Sequence, residues 1–395
     1  MPQHRRLDDE PPAKKRDSKS IDIPQLDLPT SISVPSSRLI TDILDTDVAF
    51  RLAFVGAGQC GGRLVERFWD LGYRRCVAVN TAHTDLEELN DDLPKLDLET
   101  GGAGKDMEYG QSSVARRGQE VFEMLGRHWG ERVDYAFVCA GLGGGTGGGA
   151  CVKLLELAKR YVQDSGGDPR RVGALVSLPQ ENEGPRVCRN AALAFQRLYA
   201  AKPSPLVIID NARINQLYQV GINQFYNVCN DRVVRLLHLF NLLAAQKSHL
   251  ITFDQADFAS LLDSGIVVFG ASVIDKYDSP ADVAEAIRLH LEKNVLAQVD
   301  LSQGHVAACI FVAGEAILDR LPMDYFNGGF EMFDRLLAAD NTLHRGVYQG
   351  TQDTLYCYTM VAQLPPPQAR LLALAIKGGV TQEGLASYLG VDDGV

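Results

Sequence analysis

The chain has 395 residues, of which 46% are apolar and 23% are charged, and its formal net charge is −11. This length is sufficient for two packed domains, and the composition excludes wholesale disorder and a membrane-embedded protein. The negative charge argues against non-specific binding to nucleic acid, so no nucleic acid partner is expected. Without a signal peptide or an apolar run of about 18 residues, a cytoplasmic protein is predicted.

The eight cysteines are scattered along the chain without a CxxC pair. This spacing predicts neither a zinc site nor a disulfide framework in a chain of this size. We expect reduced and mostly buried thiols, and no metal-ligating cluster of side chains.

Residues 1–48 are rich in Pro, Ser, Asp and Lys and lack a sustained period, which predicts a disordered extension. From Phe50 onwards, strands alternate with helices. The strand candidates are FRLAFVG, CVAVN, YAFVCAG, VGALVSLP and PLVIID. Helices are predicted over 63–73, 112–128 and 150–162, with a loop through Gly110. This order predicts an α/β fold of Rossmann-like type, with a parallel sheet covered on both faces.

The longest helical pattern covers residues 222–247 and predicts a central helix between two domains. Its buried stripe falls at spacings of three or four residues. A second unit, with the strands GIVVFGASV, HVAACIFVAG and LYCYTMVAQL and two helices, predicts a smaller α/β domain over 248–363. The tail, 364–395, contains enough apolar residues for a helix that docks on this chain or on a partner. The stripe consists of Tyr226, Val233, Leu236, Leu237, Phe240 and Leu243.

The first glycine-rich loop, GAGQCGG at 56–62, lies between a predicted strand and a predicted helix. Glycine permits a sharp turn and a close approach to a ligand, and the helix N-terminus offers unpaired N–H groups to a phosphate. Taken alone, the pattern also fits the G-x-G-x-x-G of a dinucleotide-binding fold, or a turn that binds no ligand.

The second glycine-rich loop, AGLGGGTGGGA at 140–150, has seven glycines among its eleven residues. Because glycine loses the most entropy on folding, an ordered loop of this kind indicates a nest of amides around a di- or triphosphate, with the Thr146 hydroxyl adding a bond. A flexible linker is the alternative. A nicotinamide site would need an acid at the end of the second strand, which instead ends VNT. The P-loop pattern is absent, since GAGKD lacks the hydroxyl residue after lysine.

These segments, in this order, resemble the tubulin/FtsZ superfamily over roughly residues 49–363. GAGQCGG is similar to tubulin's first phosphate loop, and GGGTGGG departs from the signature GGGTG[ST]G only at Gly148. VAVNT resembles the second loop, and LPQENEG resembles the ribose loop. GGAGKDMEYG resembles the third loop, which in the family senses the terminal phosphate. The resemblance implies a GTP-binding domain over 49–221 and a C-terminal activation domain over 248–363. The residues that it places at GTP or GDP, with Mg²⁺ as a cofactor, are Gly56, Gly58, Gln59, Cys60, Gly61, Asn80, Ala103, Gly104, Gly143, Gly144, Gly145, Thr146, Gly147, Pro179, Glu183, Asn211, Asn230 and Asp231.

The side chains at the base position agree with guanine. Guanine presents O6 as an acceptor and N1 and N2 as donors; an Asn amide offers both roles, and a carboxylate accepts from N1 and N2. Asn211, with Asn230 or Asp231, is therefore expected to select guanine over adenine. A helix cap is the alternative for Asn211, and a solvated helical charge is the alternative for Asp231.

The segment TFDQADF, directly after the central helix, resembles the family's synergy loop N-x-D-x-x-D. Asp254 and Asp257 match its acids, whereas Thr252 replaces the asparagine and the stretch to Gly265 is one residue shorter than usual. Two acids three residues apart are also a common helix start. The resemblance implies that these catalytic acids reach the nucleotide of the neighbouring subunit. Hydrolysis then requires a head-to-tail filament of this chain.

Three functions stay open from the sequence. The first is a polymerising cytoskeletal GTPase that serves division, cell shape or DNA positioning. The second is a nucleotide-binding but non-hydrolysing paralogue that is structural or regulates another filament, which the altered synergy loop permits. The third is a nicotinamide-dependent oxidoreductase. The tails show neither the short partner peptide of division FtsZ nor the acidic tail of tubulin, so we predict a divergent FtsZ-like or CetZ-like member whose tails contact a partner protein or membrane adaptor.

Overall fold

The computed structural model describes residues 47–98, 101–218, 221–351 and 353–380. Almost all of the predicted N-terminal extension and the last 15 residues of the predicted tail therefore lie outside the described residues. The fold class is set by one mixed sheet with helices on both faces. The predicted domain boundaries stay predictions.

Ten strands form this sheet, in the spatial order β3-β2-β1-β4-β5-β6-β7-β10-β8-β9. Neighbours from β3 to β7 are parallel, β10 is antiparallel to both β7 and β8, and β8 is parallel to β9. The strands are β1 (Leu52–Ala57), β2 (Cys76–Asn80), β3 (Lys95–Asp97), β4 (Tyr135–Gly141), β5 (Val172–Leu178), β6 (Leu206–Asp210), β7 (Ile266–Ile274), β8 (Val306–Gly314), β9 (Thr342–Gly350) and β10 (Leu355–Leu364).

Helices connect most of these strands. The α-helices are α1 (Gly58–Asp70), α2 (His83–Glu87), α3 (Met107–Arg116), α4 (Gly118–Trp129), α5 (Gly145–Asp164), α6 (Pro185–Ala200), α7 (Asn211–Leu217), α8 (Ile222–Leu243), α9 (Gln255–Leu262), α10 (Pro280–Lys293), α11 (Glu315–Leu318), α12 (Met323–Arg335) and α13 (Gln368–Lys377). Short 3-10 turns occur at Pro169–Arg171, Glu181–Glu183 and Leu301–Gln303.

The sheet separates two hydrophobic cores because successive strand residues point to opposite faces. In β1, Ala53 and Val55 face the core under α4, α5 and α6, whereas Leu52 and Phe54 face the core under α1 and α8. A parallel sheet that is buried on both faces requires such continuous apolar strands. The predicted α/β fold with a parallel sheet and a long central helix is confirmed.

The predicted helix over 112–128 is in fact two helices, α3 and α4, which meet at Arg117. The backbone of Arg117 leaves the helical region at ψ 22°. Its guanidinium donates to the carbonyl of Asp97 at the end of β3 and to Glu120, which fixes the junction at the sheet edge. The predicted loop through Gly110 is also wrong, because Gly110 lies inside α3. A Cβ there would come within 2.3 Å of the Gly145 carbonyl oxygen, so glycine allows α3 to approach α5.

Most of the second glycine run is helical rather than a loop. α5 begins at Gly145, so the residues that precede the predicted helix at Ala150 already belong to its first turns. A Cβ on Gly148 would lie 2.4 Å from the carbonyl oxygen of Leu142, and one on Gly149 would lie 2.0 Å from that of Met107. The run therefore combines a helix start with close packing of backbone on backbone.

The second half of the chain extends the same sheet. Its strand β7 pairs with β6 through Leu206 opposite Ile266 and Val207 opposite Val267. The three predicted strands of this half correspond to β7, β8 and β10, while the edge strand β9 was not predicted. Its sequence TLHRGVYQG is exposed or half-buried over most of its length and lacks a continuous apolar run.

The central helix ends at Leu243, four residues before the predicted end, and Tyr226 does not belong to its buried stripe. The tail forms α13, which docks on α6 of the same chain through Leu371 and Leu374. In the described ranges of the chain, no helix is both long enough and apolar enough to cross a lipid bilayer.

Candidate functional site

A cavity of about 610 Å³ lies where the parallel strands end. The loops after β1, β2, β4, β5 and β6 contribute to its wall, and β1 and β4 flank the point where the strand order changes direction. Open α/β sheets bind ligands at this position, outside the carboxyl ends of the strands. The lining residues are Ala57, Gly58, Gln59, Cys60, Arg63, Asn80, Thr81, Ala82, Asp85, Gly102, Ala103, Gly104, Lys105, Gly141, Gly143, Gly144, Gly145, Thr146, Gly147, Ser177, Pro179, Glu183, Val187, Asn211, Tyr226 and Asn230.

Two helices, α1 and α5, begin at this cavity, at Gly58 and Gly145. Within the described chain, no side chain caps either N-terminus and neither first turn contains an acidic residue. The first N–H groups of a helix have no intrahelical partner and carry partial positive charge, so they attract anions. Two such ends facing one cavity suit a ligand with more than one phosphate.

The glycines divide into those that line the cavity and those that pack beside it. Gly58 has a left-handed backbone, with φ 69°, and a Cβ there would lie 3.2 Å from the backbone nitrogen of Gly147, so the two glycine loops meet. Gly56 and Gly61 do not line the cavity. A Cβ on Gly56 would lie 2.2 Å from the Gly61 carbonyl oxygen, and one on Gly61 would lie 2.2 Å from that of Cys139. They let α1 pack closely on β1 and β4.

Polar side chains link the segments that follow β1, β2 and β4. The hydroxyls of Thr146 and Thr81 lie 2.6 Å apart and are buried. Asn80 donates to one oxygen of Asp85 at 3.0 Å, and Gln59 donates to the other at 3.4 Å. Asp85 and Thr81 were not among the predicted site residues, although an acid five residues after a strand end was a visible signal.

The loop before α3 brings Ala103, Gly104 and Lys105 to the cavity. Lys105 has φ 62°, and its carbonyl oxygen accepts from the side-chain amide of Asn190 at 2.9 Å. The same amide donates to the carbonyl of Gly143 at 3.2 Å, and Asn190 is buried on α6. α6 therefore fixes two cavity loops relative to each other. Lys105, a cation at the wall, was not among the predicted site residues.

Two buried amides and an aromatic ring also line the cavity. Asn211 begins α7 and Asn230 lies on α8; Tyr226, one turn before Asn230, is 41% exposed. Asp231 does not line the cavity, and its carboxylate accepts from Arg235 at 2.7 Å. Between the predicted alternatives, the geometry favours Asn230, and Asp231 fits the solvated helical charge.

The loop after β5 contributes Pro179 and Glu183. The Glu183 carboxylate accepts from the backbone of Gln180 at 2.8 Å, and burial raises the pKa of Glu183. Burial also raises the pKa of the Cys60 thiol to about 11, so this thiol is protonated at neutral pH and is a weak nucleophile.

The sequence profile described as "Tubulin/FtsZ family, GTPase domain" matches residues 51–219. This span contains every loop that forms the cavity; only Tyr226 and Asn230 of the lining residues lie beyond it. Residues 51–219 therefore form a GTPase domain of the tubulin/FtsZ type. The resemblance inferred from the glycine loops is confirmed.

Relatives within and around this family cover most of the chain. Cell division protein FtsZ 1 of Pyrococcus abyssi is 29% identical over 299 residues, which is 72% of this chain and 74% of the relative. CetZ2 of Haloferax volcanii, solved as a GTPγS-bound protofilament, superposes with a TM-score of 0.69 at 19% identity, covering 85% of this chain and 98% of that one. TubZ of Bacillus thuringiensis serovar israelensis, solved as a GTPγS-form protofilament, gives 0.71 at 20% identity, covering 86% and 94%.

Asp254 and Asp257, the tubulin/FtsZ-type acids predicted to be catalytic, lie outside the cavity of their own chain. Asp254 is the N-cap of α9, and Asp257 completes a capping box by accepting from the backbone of Asp254 at 3.0 Å. The other Asp257 oxygen lies 2.8 Å from Nδ1 of His344, whose Nε2 lies 2.8 Å from the hydroxyl of Ser260. Within one chain, these two acids therefore have the contacts expected at a helix start. Their catalytic role stays a prediction.

Most of the predicted nucleotide contacts thus share one cavity, while Gly56, Gly61 and Asp231 lie beside it. The predicted residues that line the wall are Gly58, Gln59, Cys60, Asn80, Ala103, Gly104, Gly143, Gly144, Gly145, Thr146, Gly147, Pro179, Glu183, Asn211 and Asn230. Lining residues with polar or aromatic side chains that were missed are Arg63, Thr81, Asp85, Lys105, Ser177 and Tyr226.

Proposed function

We propose that this chain binds a guanine nucleotide in the cavity, hydrolyses GTP and assembles head-to-tail into filaments. The observation that carries the proposal is the convergence of two uncapped helix N-termini on a cavity that is also lined by two buried amides. The match of residues 51–219 to a GTPase domain supports it, as do the protofilaments named for CetZ2 and TubZ.

The phosphates bind at the N-termini of α1 and α5. Backbone N–H groups of the glycine loops surround them, and the Thr146 hydroxyl adds a donor. The Lys105 ammonium, on the loop predicted to sense the terminal phosphate, offsets charge there. The hydrogen bond from Asn190 to the Lys105 backbone holds this loop in place.

The base binds between α7 and α8. The amides of Asn211 and Asn230 supply both a donor for O6 and acceptors for N1 and N2 of guanine. The Tyr226 ring offers a flat apolar face on which a purine stacks. Neither amide carries charge, so discrimination against adenine rests on hydrogen bonds that adenine would leave unmade.

The donor set also fits Mg²⁺ bound together with the phosphates. Mg²⁺ prefers oxygen ligands and usually keeps several waters beside one or two carboxylates and the substrate phosphates. Asp85, with the hydroxyls of Thr81 and Thr146, would hold it, and the ion would neutralise phosphate charge. The described residues contain no cluster of three or more His, Cys, Asp or Glu side chains able to hold an ion alone, which agrees with a site that is completed by the nucleotide.

Hydrolysis needs positioning and charge stabilisation more than covalent chemistry. The cavity supplies both for the phosphates, but Asp254 and Asp257 lie outside it. We propose that these two carboxylates reach the cavity of the next subunit and orient the attacking water there. One contact is then both the filament interface and the completed active site. Such a filament would act in the cytoplasm, in division, cell shape or DNA positioning.

The test is phosphate release and pelleting in GTP over a wide range of protein concentration. GTP turnover per subunit is expected to rise steeply at the concentration where the protein begins to pellet. Turnover per subunit that is constant from far below to far above that threshold would contradict the assembly-dependent site.

The Asp257→Ala variant sharpens this test. It is expected to bind GTP like the wild type but to lose at least about tenfold in turnover. Since Asp257 is also the N3 acid of a helix, Asp282→Ala is the matched control: Asp282 occupies the N3 position of α10, where it accepts from Ser279. Each variant should cost about 1 kcal/mol in stability. Undiminished turnover in Asp257→Ala would exclude the role assigned to that residue.

A specific observation favours the second candidate, a nucleotide-binding paralogue that does not hydrolyse GTP. Both oxygens of Asp257 already have partners within the chain, at Asp254 and His344, and Thr252 replaces the family's asparagine. Filaments that pellet with bound GTP and release no phosphate at any protein concentration would establish this function instead.

A further inference from the structure

The C-terminal helix α13 packs against α6 beside the cavity. Leu371 and Leu374 are buried in that contact. A Cβ on Gly378, at the end of the helix, would lie 2.6 Å from the backbone of Arg189 on α6. The helix is therefore docked by apolar packing and a close backbone approach.

One polar side chain of α13 makes its hydrogen bonds to residues outside α6. Arg370 is 3% exposed, and each of its three guanidinium nitrogens donates to a different acceptor. Nε bonds Asp210 at 3.0 Å, Nη1 bonds Glu181 at 2.5 Å, and Nη2 bonds the carbonyl oxygen of Pro179. Asp210 is itself 1% exposed.

All three acceptors belong to segments next to the cavity. Pro179 lines it, and Glu181 lies two residues from Glu183, whose carboxylate also lines it. Asp210 caps α7 by accepting from the backbone of Ala212 at 3.2 Å, and α7 begins at the lining residue Asn211. One guanidinium thus joins the loop after β5 to the end of β6, where α7 begins.

A buried ion pair is weak evidence for stability as such, because the cost of desolvating both charges offsets their attraction. The effect of this ion pair on the positions of its acceptors is more definite. A planar guanidinium has fixed donor directions, so three acceptors bonded to it are held in one arrangement. Here the acceptors come from the ends of two neighbouring strands, where Leu178 lies opposite Asp210, and Arg370 bonds the chain on both sides at or just past these last paired residues.

We propose that Arg370 is a positioning residue for the nucleotide site, and that docking of α13 and nucleotide binding are thermodynamically coupled. This inference rests on the proposed binding of a guanine nucleotide in the cavity. Arg370 holds the Glu183 carboxylate where it accepts from a sugar hydroxyl and holds Asn211 at the base. By reciprocity, nucleotide stabilises the docked helix to the same extent that the docked helix strengthens nucleotide binding.

The experiment measures equilibrium binding of GDP and 2′-deoxy-GDP to the full chain, below the assembly threshold. Arg370→Ala is expected to bind GDP at least about tenfold more weakly and to lose most of the wild-type preference for GDP over its 2′-deoxy form. Arg370→Lys, which keeps charge but not the fixed donor directions, should fall between the two. Lys377→Ala, an exposed cation on the same helix, is the control and should match the wild type.

The readouts separate a positioning role from a structural one. If Arg370 only stabilised the fold, both nucleotides would lose affinity by the same factor and their ratio would stay at the wild-type value, which would overturn the proposal. Equal GDP affinity in the wild type and Arg370→Ala would overturn it as well. A wild type that binds no guanine nucleotide would instead refute the proposed function.

Hydrogen exchange on the wild type keeps the proposal testable if Arg370→Ala does not fold. Amides of residues 368–377 are expected to exchange more slowly when GDP is bound, because the docked helix and the bound nucleotide favour each other. Exchange in this helix that is unchanged by saturating GDP would refute the coupling.

Discussion

Tyr226 contributes an aromatic side chain to the wall of the cavity. The residue is 41% exposed on α8 although it lies one turn from the buried Asn230. Partial burial raises the pKa of Tyr226, so its hydroxyl stays protonated and its ring neutral. A neutral ring beside two amides offers a stacking face for a purine.

We expect Tyr226→Ala to weaken binding of GDP by roughly ten- to a hundredfold, because base–aromatic stacking contributes about 1–3 kcal/mol. Tyr226→Phe should retain most of the affinity, since it keeps the ring. Tyr199→Ala is the matched control, as Tyr199 is similarly exposed, at 47%, but does not line this cavity. Isothermal titration with GDP measures all three. Equal affinity in Tyr226→Ala and the wild type would exclude stacking.

The position of a single residue was predictable where backbone geometry determines it. It was less predictable where it depends on which neighbour the side chain contacts. The glycine loops predicted part of the cavity wall because glycine spacing reports backbone geometry directly. Asn230 and Asp231 are adjacent, and only the rotation of α8 decides which one faces the cavity. Tyr226 has the spacing of a core residue, since a helical period cannot distinguish a buried face from a face that borders a cavity.

At the scale of elements, the contact between α3 and α5 explains why the glycine run continues past Gly147, the last of its residues that lines the cavity. Gly149 belongs to neither the cavity wall nor a turn, yet a Cβ there would lie 2.0 Å from the Met107 carbonyl oxygen. The backbones of the two helices are in contact at this point. Replacing this glycine tests packing separately from nucleotide binding.

Gly149→Ala is expected to lower the free energy of unfolding by about 1–3 kcal/mol or more, because overpacking forces the two helices apart. Gly118→Ala is the contrasting variant: Gly118 also lies in a helix, but no atom lies within 4 Å of a Cβ built there. Its stability should be unchanged or higher by up to about 1 kcal/mol. Urea unfolding measures both. Similar losses in the two variants would contradict the packing explanation.

The elements that were predicted correctly have continuous apolar strands or a strong helical period, such as β4, β5, β10 and α10. The predictions failed where tertiary contacts override local pattern. The break at Arg117 depends on a hydrogen bond to Asp97, 20 residues away in the chain. β9 is a polar edge strand without a continuous apolar run, and it is a strand because it pairs with β8.

At the scale of the whole molecule, two of the histidines that the structure describes are buried in a neutral form. His238 packs beside Tyr73, with Nδ1 3.0 Å from its hydroxyl, and burial lowers the pKa of His238 to about 4. His290 lies 2.9 Å from the hydroxyl of Thr359, and burial lowers its pKa to about 4 as well. Both rings must gain a proton when the chain unfolds below their ordinary pKa.

The stability of the protein is therefore expected to fall as the pH falls from about 6.5 towards 4. The folded pKa values lie below the unfolded ones, so the stabilising contribution is complete above pH 6.5 and is lost as the folded pKa values are approached. Each histidine contributes a slope of up to about 1.4 kcal/mol per pH unit in this window. Urea unfolding between pH 7.5 and 5 measures the slope.

Carboxylates also titrate in this range, so the comparison that counts is between variants. His290→Gln should reduce the slope because one titrating group is removed, whereas His249→Gln, changed at an exposed position, is the control. An identical slope in His290→Gln and the wild type would show that the buried ring is not the source.

The close packing of the glycine run also bears on how such a family diverges. Selection against a Cβ at Gly148 or Gly149 acts through folding, since the collisions are with the chain's own backbone. A relative that does not hydrolyse GTP would still need these residues to fold. The glycine signature would then persist in a protein without GTP hydrolysis. We expect sequence changes that accompany gain or loss of GTP turnover to fall in the segment from Thr252 to Asp257 rather than in the glycines.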